Sequence, residues 1–249
     1  MKIIQLSDSH IGRETDVTSG IDVRRNFEFL LEKVVKEKPD LIVHTGDICY
    51  ETPEENIYNW AKKKLITTNL PFSIIAGNHD DSSMMCNIFY QKPNIREYYY
   101  TLTFQNNKLI FLDTCNGDMS DEQYNWLEIE IKSTNNIIIF MHHPPIKMGV
   151  PFMDNKYAFK SSEKFCKLFD TITRPITIFC GHYHHERTVR RHPLEINICP
   201  STYYELNDFN ENFAISNDHI GYRVINIDNF GNVTSATKYF KGFTLPLLA

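Results

Sequence analysis

Apolar and polar positions in the first third of the chain follow patterns typical of alternating strands and helices. Runs suited to buried strands lie at 3–7, 41–45 and 72–76, and amphipathic stretches suited to helices lie at 22–38 and 53–68. Pro39 and Pro71 each stand just before a strand, where they end the preceding helix without interrupting a ladder. The order βαβαβ therefore predicts parallel neighbouring strands.

The rest of the chain is richer in strands, and we expect more antiparallel pairing there. The runs 98–104 and 109–112 predict a hairpin across the turn signal Gln105-Asn106-Asn107. The other predicted elements are helices at 121–132 and 161–169, a Gly/Pro/Met loop at 144–155, and strands at 137–141, 176–180, 188–191, 195–199, 221–227 and 233–240. Because no repeat or low-complexity linker interrupts the sequence, we expect one domain over 1–249, with 200–249 as C-terminal strands and a cap or oligomerisation tail.

The composition favours a cytoplasmic protein whose main partner is not genomic nucleic acid. The 26 Lys and Arg residues against 31 Asp and Glu give a formal charge of −5, and no long basic run could follow a phosphate backbone. No apolar run approaches the ~20 residues of a membrane span, and Met1 leads straight into a strand pattern. We therefore expect neither a leader nor a membrane partner.

The cysteines are scattered and form no C-x-x-C pair, which predicts buried free thiols rather than disulfides. They are Cys49, Cys86, Cys115, Cys166, Cys180 and Cys199.

Polar side chains follow the ends of five predicted strands. The segments are Asp8-Ser9-His10, Gly46-Asp47, Gly77-Asn78-His79-Asp80, His142-His143 and Gly181-His182-Tyr183-His184. Any one of them alone is more often a turn, a helix cap or a surface feature. In open α/β sheets, however, the carboxyl ends of strands meet at one crevice. Five such segments, all rich in ligands for divalent cations, therefore indicate a metal site.

These residue types suit two cations. Asp8 and His10 would project to one side of an extended segment and grip the same ion. Asp47 offers two oxygens that two ions can share, and Asn78 supplies a neutral carbonyl oxygen. We expect the glycines at 46, 77 and 181 to let the backbone turn tightly beside the metals.

The five segments, with Pro144-Pro145 after the paired histidines, resemble in order and spacing the motif set of the calcineurin-like metallophosphoesterases over roughly residues 1–200. Asn78-His79-Asp80-Asp81, His-His-Pro-Pro and the loop from Met148 to Asp154 are most similar to class III cyclic nucleotide phosphodiesterases and glycerophosphodiesterases. The resemblance implies an α/β fold of four layers, α/β/β/α, with two mixed sheets packed face to face and helices outside. It also implies hydrolysis of a small phosphodiester by a metal-bridging hydroxide.

The resemblance assigns roles residue by residue. Asp8, His10 and His184 match the ligands of a first metal, and Asn78, His142 and His182 those of a second, while Asp47 bridges the two and is catalytic. His79 matches the catalytic histidine beside the phosphate, which stabilises or protonates the leaving oxygen. The implied cofactors are two divalent or mixed-valence transition metals, and Mn, Fe, Zn and Co fit equally. His143 is expected to point away from the metals in a structural role.

Candidate substrate contacts are Asn78, His79 and Tyr204. Many class III relatives carry a histidine at the end of a Pro-small-Thr-x-His segment, whereas here Pro200-Ser201-Thr202-Tyr203 is followed by Tyr204. This residue either changes the specificity or packs at a strand end. The loop 144–155, with Met148, Phe152 and Met153, either forms an apolar wall over the site or packs beneath a neighbouring subunit.

Charge favours a diester substrate. Two divalent ions bring four positive charges, Asp8 and Asp47 return two, and a hydroxide a third, so the net positive charge matches a monoanion. The alternatives are a phosphomonoesterase or nuclease that uses the same site, and a catalytically silent binding scaffold. The scaffold is disfavoured because every motif position holds a competent ligand. An aromatic-rich tail is a candidate surface for a second copy of the chain, through Tyr239, Phe240, Phe243 and Leu245 to Leu248.

Overall fold

The computed structural model describes residues 1–104, 107–132 and 136–245. The helices are α1 (Val23–Glu37), α2 (Glu55–Thr67), α3 (Ser82–Tyr90), α4 (Asp121–Glu130), α5 (Pro151–Lys156) and α6 (Ser162–Lys167). The strands are β1 (Lys2–Leu6), β2 (Leu41–His44), β3 (Phe72–Ile74), β4 (Tyr100–Phe104), β5 (Asn107–Phe111), β6 (Asn136–Phe140), β7 (Ile176–Cys180), β8 (Arg187–Arg191), β9 (Leu194–Ile198), β10 (Glu205–Leu206), β11 (Ile215–Asn217), β12 (His219–Ile227) and β13 (Val233–Lys241).

Helix α1 shows how local sequence sets the ends of an element. The Asp22 side chain accepts a hydrogen bond from the Arg25 backbone N–H at the start, which satisfies a donor that lacks a helical partner. At the other end Lys38 takes a left-handed conformation with φ 52°, and Pro39 follows. The predicted range 22–38 therefore coincides with the two caps. Between them the apolar positions recur every three or four residues and face a sheet.

The first sheet has the strand order β13-β12-β1-β2-β3. Strands β1, β2 and β3 are parallel, with Ile3 opposite Leu41, as the βαβαβ pattern predicts. Strand β12 returns from the far end of the chain and pairs antiparallel with β1, so that Ile3 also lies opposite Ile225. The N-terminal and C-terminal parts of the chain thus share one sheet.

The second sheet has the strand order β4-β5-β6-β7-β9-β8. Its four inner strands are parallel, and β4 and β8 pair antiparallel at the edges. Both sheets are therefore mixed, as predicted. The antiparallel pairing of β4 with β5 confirms the hairpin, although residues 105 and 106 of its turn lie outside the described range.

Three apolar layers hold the sheets and helices together. Buried residues from both sheets, among them Ile3, Val43 and Phe140, form the layer between the sheets. A second layer packs the outer face of the first sheet against α1 and α2, and a third packs the second sheet against α4, α5 and α6. Burying each of these large side chains stabilises the fold by roughly 1.5–3 kcal/mol. The predicted four-layer α/β/β/α sandwich is confirmed.

Some elements differ from the sequence-based expectation. Helix α3 and the short strands β10 and β11 were not predicted, and α5 occupies part of the segment 144–155 that was predicted as a loop. All six cysteines are free as expected, but Cys115 is only partly buried. In the tail, Phe240 and Phe243 pack against Phe29 of the chain's own helix α1, with ring centroids 5.5 and 5.3 Å away.

None of the described helices combines the length and apolar character needed to cross a membrane. Residues 246–249, which include part of the predicted oligomerisation tail, lie outside the described range, and the single-domain boundary stays a prediction.

Candidate metal centre

The seven predicted metal ligands lie on loops that follow the parallel strands of both sheets. Backbone hydrogen bonds join the loop after β1 to the loop after β2, from Asp8 N to Gly46 O at 3.0 Å and from His10 N to Asp47 O at 3.0 Å. Because carboxyl ends of parallel strands share one edge, segments distant in sequence meet here. The side chains that meet are Asp8, His10, Asp47, Asn78, His142, His182 and His184.

Five of these residues have a left-handed backbone, which is uncommon outside glycine. The φ angles are 54° at Asp8, 42° at His10, 56° at Asp47, 71° at His182 and 51° at His184. Such conformations cost of order 1–3 kcal/mol each and cluster at functional sites, where the surrounding structure enforces them. Asp8 and His10 therefore converge through left-handed turns, and the expectation of an extended D-x-H segment is wrong.

Close approach of neighbouring side chains explains two of the three motif glycines. Gly46 has φ 98°, in the region that favours glycine, as expected for a tight turn. A Cβ on Gly77 would lie 2.2 Å from Asp47 Oδ1, and one on Gly181 would lie 1.9 Å from Ser7 Oγ. At 77 and 181 the need is thus for space beside a ligand rather than for a special turn.

The first group of possible ligands consists of Asp8, His10 and His184, whose ligand atoms all lie within 4.8 Å of one another. His10 Nε2 lies 2.9 Å from His184 Nε2, and His184 Nε2 lies 3.6 Å from Asp8 Oδ1. The Asp8 carboxylate accepts hydrogen bonds at 3.0 Å from the His182 backbone N–H, which fixes its orientation. The three side chains are buried.

The second group centres on His142. Its Nδ1–H donates to the Thr45 carbonyl at 2.7 Å, so Nε2 is the ring nitrogen available to a cation. That atom faces Asn78 Oδ1 at 3.1 Å and Asp47 Oδ2 at 3.3 Å. Asp47 Oδ2 also lies 3.6 Å from His10 Nε2, so this one oxygen lies between the two groups.

His182 completes the second group from the other side. Its Nε2–H donates to the Tyr157 carbonyl at 3.0 Å, which leaves the Nδ1 lone pair free. His143 forms a hydrogen bond through Nδ1 with Thr114 Oγ1 at 3.1 Å. Its ring is nevertheless only 4.2 Å from that of His182, so the expectation that His143 points away is wrong.

The ligand atoms fit cations because ring nitrogens and oxygens able to bind a metal crowd together. His142 Nε2 lies against two oxygens, and His10 Nε2 lies against His184 Nε2 while His10 Nδ1 faces the Tyr50 carbonyl at 3.3 Å. The buried Nδ1 of His184 has no hydrogen-bond partner among the described residues. Buried acceptors crowded together are costly unless a positive charge lies between them. These clusters therefore fit a binuclear metal site.

Burial and neighbouring charges set the protonation of these groups. Burial lowers the pKa of His10 to about 4 and that of His182 to about 3, so both rings are neutral ligands at neutral pH. For Asp47 burial acts in the opposite direction, but His142 holds the pKa of this carboxyl well below its usual range. Burial also opposes protonation of His142, yet Asp47 raises its pKa to about 9. Without metal, His142 therefore carries a proton on Nε2, facing Asp47. A bound cation would replace that proton.

His79 lies against the two groups, with a ring nitrogen within 4.8 Å of ligand atoms of His10 and Asp47. Its backbone N–H donates to Asp47 Oδ1 at 2.8 Å, and its ring centroid is 4.8 Å from that of His10 in an edge-to-face arrangement. The Nδ1 atom has no hydrogen-bond partner among the described residues. The imidazole is therefore positioned at the site by its backbone, with a ring nitrogen that makes no hydrogen bond to the described residues.

Asp80 is a positioning residue to which the sequence analysis gave no role. Its buried carboxylate accepts hydrogen bonds from the backbone N–H groups of Ile48, Cys49 and Gly77 and from the Tyr58 hydroxyl. These bonds join the loop that carries Asp47 to the loop that carries Asn78 and His79. The sequence feature that could have identified Asp80 is its place at the end of the Gly77-Asn78-His79-Asp80 segment.

A pocket of about 430 Å³ opens over the ligand groups. It is lined by His10, Asp47, Tyr50, Glu51, Asn78, His79, Phe152, Met153, Tyr157, His182, His184, Tyr203, Tyr204, Leu206 and Phe213. Phe152 and Met153 form part of the wall that was considered for the segment 144–155, whereas Met148 is buried in the core beneath it. No Lys or Arg belongs to the lining within the part of the chain that the structure describes.

Comparison with known proteins agrees with the site geometry. A protein of Fibrobacter succinogenes named as a probable cyclic nucleotide phosphodiesterase is 31% identical over 228 residues, covering 90% of this chain and 89% of that protein. A protein of Arcobacter nitrofigilis named as a probable glycerophosphodiester phosphodiesterase is 27% identical over 201 residues, covering 76% of this chain and 73% of its own length.

Solved structures share the fold at low sequence identity. A dimetal phosphatase from Danio rerio superposes with a TM-score of 0.64 at 10% identity, over 97% of this chain and 99% of that one. A purple acid phosphatase from yellow lupin seeds gives a TM-score of 0.65 at 14% identity, over 98% of this chain and 52% of that one. The family model for calcineurin-like phosphoesterases matches residues 1–186, and the resemblance inferred from the motifs is confirmed. With its ligand clusters, its four-layer fold and this match, the chain belongs to the calcineurin-like phosphoesterase family of metal-dependent hydrolases.

Proposed function

We propose that this protein hydrolyses a small phosphodiester at a centre of two transition-metal ions. Asp8, His10 and His184 would hold one ion, and Asn78, His142 and His182 the other. Asp47 would bridge them, because its Oδ2 faces ring nitrogens of both groups at 3.6 and 3.3 Å. The observation that carries the proposal is this convergence of buried acceptor atoms at the floor of a pocket.

The charge of the pocket supports a diester substrate. Two divalent cations with the carboxylates of Asp8 and Asp47 leave two positive charges, and a hydroxide nucleophile reduces them to one. That charge neutralises a diester monoanion. A monoester dianion would leave the site negative, and the pocket offers no cationic side chain among the described residues to compensate, while Glu51 adds a carboxylate. The same lack of basic side chains argues against a nuclease that follows a polyanionic backbone.

The chain's own residues would then orient the substrate and transfer protons. When bound, the two cations would lower the pKa of water from 15.7 towards ~7 and neutralise the phosphoryl oxygens. Asn78 is exposed to the pocket, where its amide can donate to a phosphate oxygen. His79 would protonate the leaving oxygen, because its free Nδ1 and its position beside His10 place it next to the reacting group.

Tyr204 would contact the substrate as a neutral hydroxyl. Burial raises the pKa of this phenol, so it keeps its proton at neutral pH. Its ring lies 4.9 Å from that of His184, at the position where many class III relatives carry a histidine. A neutral donor here is consistent with a substrate of low charge.

The names of the relatives supply the candidate substrates, namely cyclic nucleotides and glycerophosphodiesters. The most direct experiment compares the Mn-loaded protein on bis-p-nitrophenyl phosphate and on p-nitrophenyl phosphate. A panel of 3′,5′-cAMP, 2′,3′-cAMP and glycerophosphoethanolamine follows. We expect kcat/KM for the diester to exceed that for the monoester at least about tenfold, a difference of 1.4 kcal/mol in transition-state stabilisation.

Two outcomes would contradict the proposal. A preference for the monoester would assign a phosphomonoesterase. A metal-replete protein that is inert on every ester would instead support the binding scaffold. A cytoplasmic location and assembly through the C-terminal tail stay predictions beside this one.

A further inference from the structure

Phe213 is an aromatic side chain at the mouth of the pocket, and 55% of it is exposed. It lies between β10 and β11, on the loop of a short hairpin outside both main sheets. An aromatic ring in the lining of a pocket can be covered by a ligand that occupies the pocket.

A chain of ring contacts crosses the metal centre and passes through Phe213. On one side, the Tyr204 ring lies 4.9 Å from that of His184, and Phe213 lies 6.1 Å from Tyr204. On the other side, Phe213 lies 5.9 Å from Phe152, and Phe152 lies 5.5 Å from Tyr157. The Tyr157 ring lies 6.5 Å from that of His182.

We call these four rings, Tyr204, Phe213, Phe152 and Tyr157, the aromatic arch. Phe213 is its central member, because it joins the segment after β9 to helix α5. The two ends of the arch rest on histidines from the two ligand groups. A group attached to a phosphate on the metals would thus meet the arch.

Polar contacts hold the hairpin that carries Phe213 in place. His185 Nδ1 lies 3.0 Å from Glu205 Oε1, and Arg187 forms an ion pair with Asp208. Within the hairpin, the Asn207 N–H donates to the Ala214 carbonyl at 2.8 Å. These contacts restrict the position of the hairpin. Ligand binding therefore has to order less of the protein, which lowers the entropy cost of binding.

The chemistry of the arch selects a flat apolar group. Its rings present faces and edges to which an aromatic ester group can stack, and such pairs prefer centroid separations of roughly 4.5–7 Å. Phe213 and Phe152 offer no hydrogen-bonding atom to a hydroxyl-rich group such as glycerol. A polyol against Phe213 and Phe152 would lose water without gaining partners, although the Tyr204 and Tyr157 hydroxyls lie at the two ends of the arch.

We infer that Phe213 is a specificity-determining residue. It binds the aromatic ester group that remains on the phosphate when the other ester bond of the diester is cleaved. The inference rests on the proposed phosphodiesterase activity and deepens it. It favours substrates with an aromatic ester group over those with small alkyl or polyol groups.

The test compares two diesters with the same leaving group. Bis-p-nitrophenyl phosphate and methyl p-nitrophenyl phosphate both release p-nitrophenolate, and they differ only in the ester group that remains. For Phe213→Ala, we expect the ratio of the two kcat/KM values, diaryl over methyl, to fall about tenfold, which corresponds to 1.4 kcal/mol. The loss should appear mainly as a higher KM for the diaryl ester, because the contact is made equally in the ground state and the transition state.

Phe209→Ala is the matched control. Phe209 lies on the same hairpin loop and is 82% exposed, but it does not line the pocket, so this variant should keep the wild-type ratio. Phe152→Leu, on the opposite side of the arch, should lower the ratio in the same direction and keeps the test valid if Phe213→Ala perturbs the hairpin.

An unchanged ratio in both Phe213→Ala and Phe152→Leu would overturn the inference while leaving the phosphodiesterase intact. An equal fall in Phe209→Ala would overturn it as well, since the effect would then belong to the loop rather than to the arch. Failure of the wild-type protein to cleave either diester would instead refute the proposed function.

Discussion

Asp47 is the residue on which the two ligand groups converge. Its Oδ2 faces His10 and His142, and its Oδ1 accepts the backbone N–H of His79, so both oxygens are committed to the centre. The sequence predicted that these seven side chains would meet, since each motif follows a strand and strand ends converge. It did not predict the contacts that orient them, such as Tyr157 O on His182 or Asp80 between two loops. Those contacts arise from tertiary packing, so no local sequence pattern predicts them.

At the residue scale, we predict that His79→Ala lowers kcat by about 10²–10⁴-fold, the typical contribution of a general acid, with little loss of bound metal. The imidazole lies against His10 and Asp47 with Nδ1 unpartnered among the described residues, and we expect its removal to take away a proton donor rather than a ligand. Steady-state kinetics combined with metal analysis by mass spectrometry measures both quantities.

The matched control for His79 is His219→Ala, which removes an exposed imidazole at the start of β12 and should change neither rate nor metal content. Loss of metal in proportion to rate in His79→Ala would show that residue 79 is a ligand.

At the scale of elements, the apolar pattern predicted the strands of both sheets and the longer helices because periodicity is strongest over long amphipathic segments. Helix α3 was missed since its sequence is apolar on most sides, although Asp81 caps it by accepting from the Met84 N–H. Helix α5 has six residues and begins with Pro151, a first-turn signal that the surrounding Gly, Pro and Met obscured. The strands β10 and β11 have two and three residues, too few for any periodicity.

The loop after β7 supplies an element-scale prediction. In Gly181→Ala the new Cβ would lie 1.9 Å from Ser7 Oγ and 2.7 Å from Asp8 Oδ2, so the loop after β1 must move away from the loop after β7. We expect a loss of about 1–3 kcal/mol in unfolding free energy from overpacking, together with loss of metal at the Asp8 group and of most activity. Urea denaturation, metal analysis and a diester assay measure these effects.

Gly20→Ala separates backbone strain from distortion of the site. Gly20 has φ +77° and open space around its Cβ position, so alanine should cost about 1–2 kcal/mol of stability and leave metal content and activity unchanged. If Gly181→Ala also kept its metal and activity, the close packing of the two loops would not matter for the centre.

At the scale of the whole molecule, the centre joins strand ends from both sheets, and strand β12 returns to pair beside β1. The left-handed backbone conformation at five candidate ligand positions and the crowded ligand atoms destabilise the metal-free fold locally. Sequence patterns revealed the two sheets separately, but the closure of the pocket depended on the unpredicted hairpin β10–β11. The aromatic rim therefore could not be anticipated from any single motif.

Metal removal should consequently lower global stability. A cation present at about 100 times its Kd stabilises the native state by about 2.7 kcal/mol. For a domain of this size each kcal/mol shifts Tm by about 2–4 °C, so chelation should lower Tm by about 5–10 °C. Differential scanning fluorimetry with and without EDTA measures the shift. Asp47→Asn should show a much smaller response, and an identical response in both proteins would place the stabilising metal elsewhere.

The positions of the ions themselves are the most direct test, through an anomalous difference map from crystals of the Mn-loaded protein. We expect two peaks about 3.5–4 Å apart, one contacted by Asp8, His10 and His184, the other by Asn78, His142 and His182, with Asp47 touching both. A single peak, peaks away from these side chains, or an Asp47 that contacts neither ion would contradict this expectation.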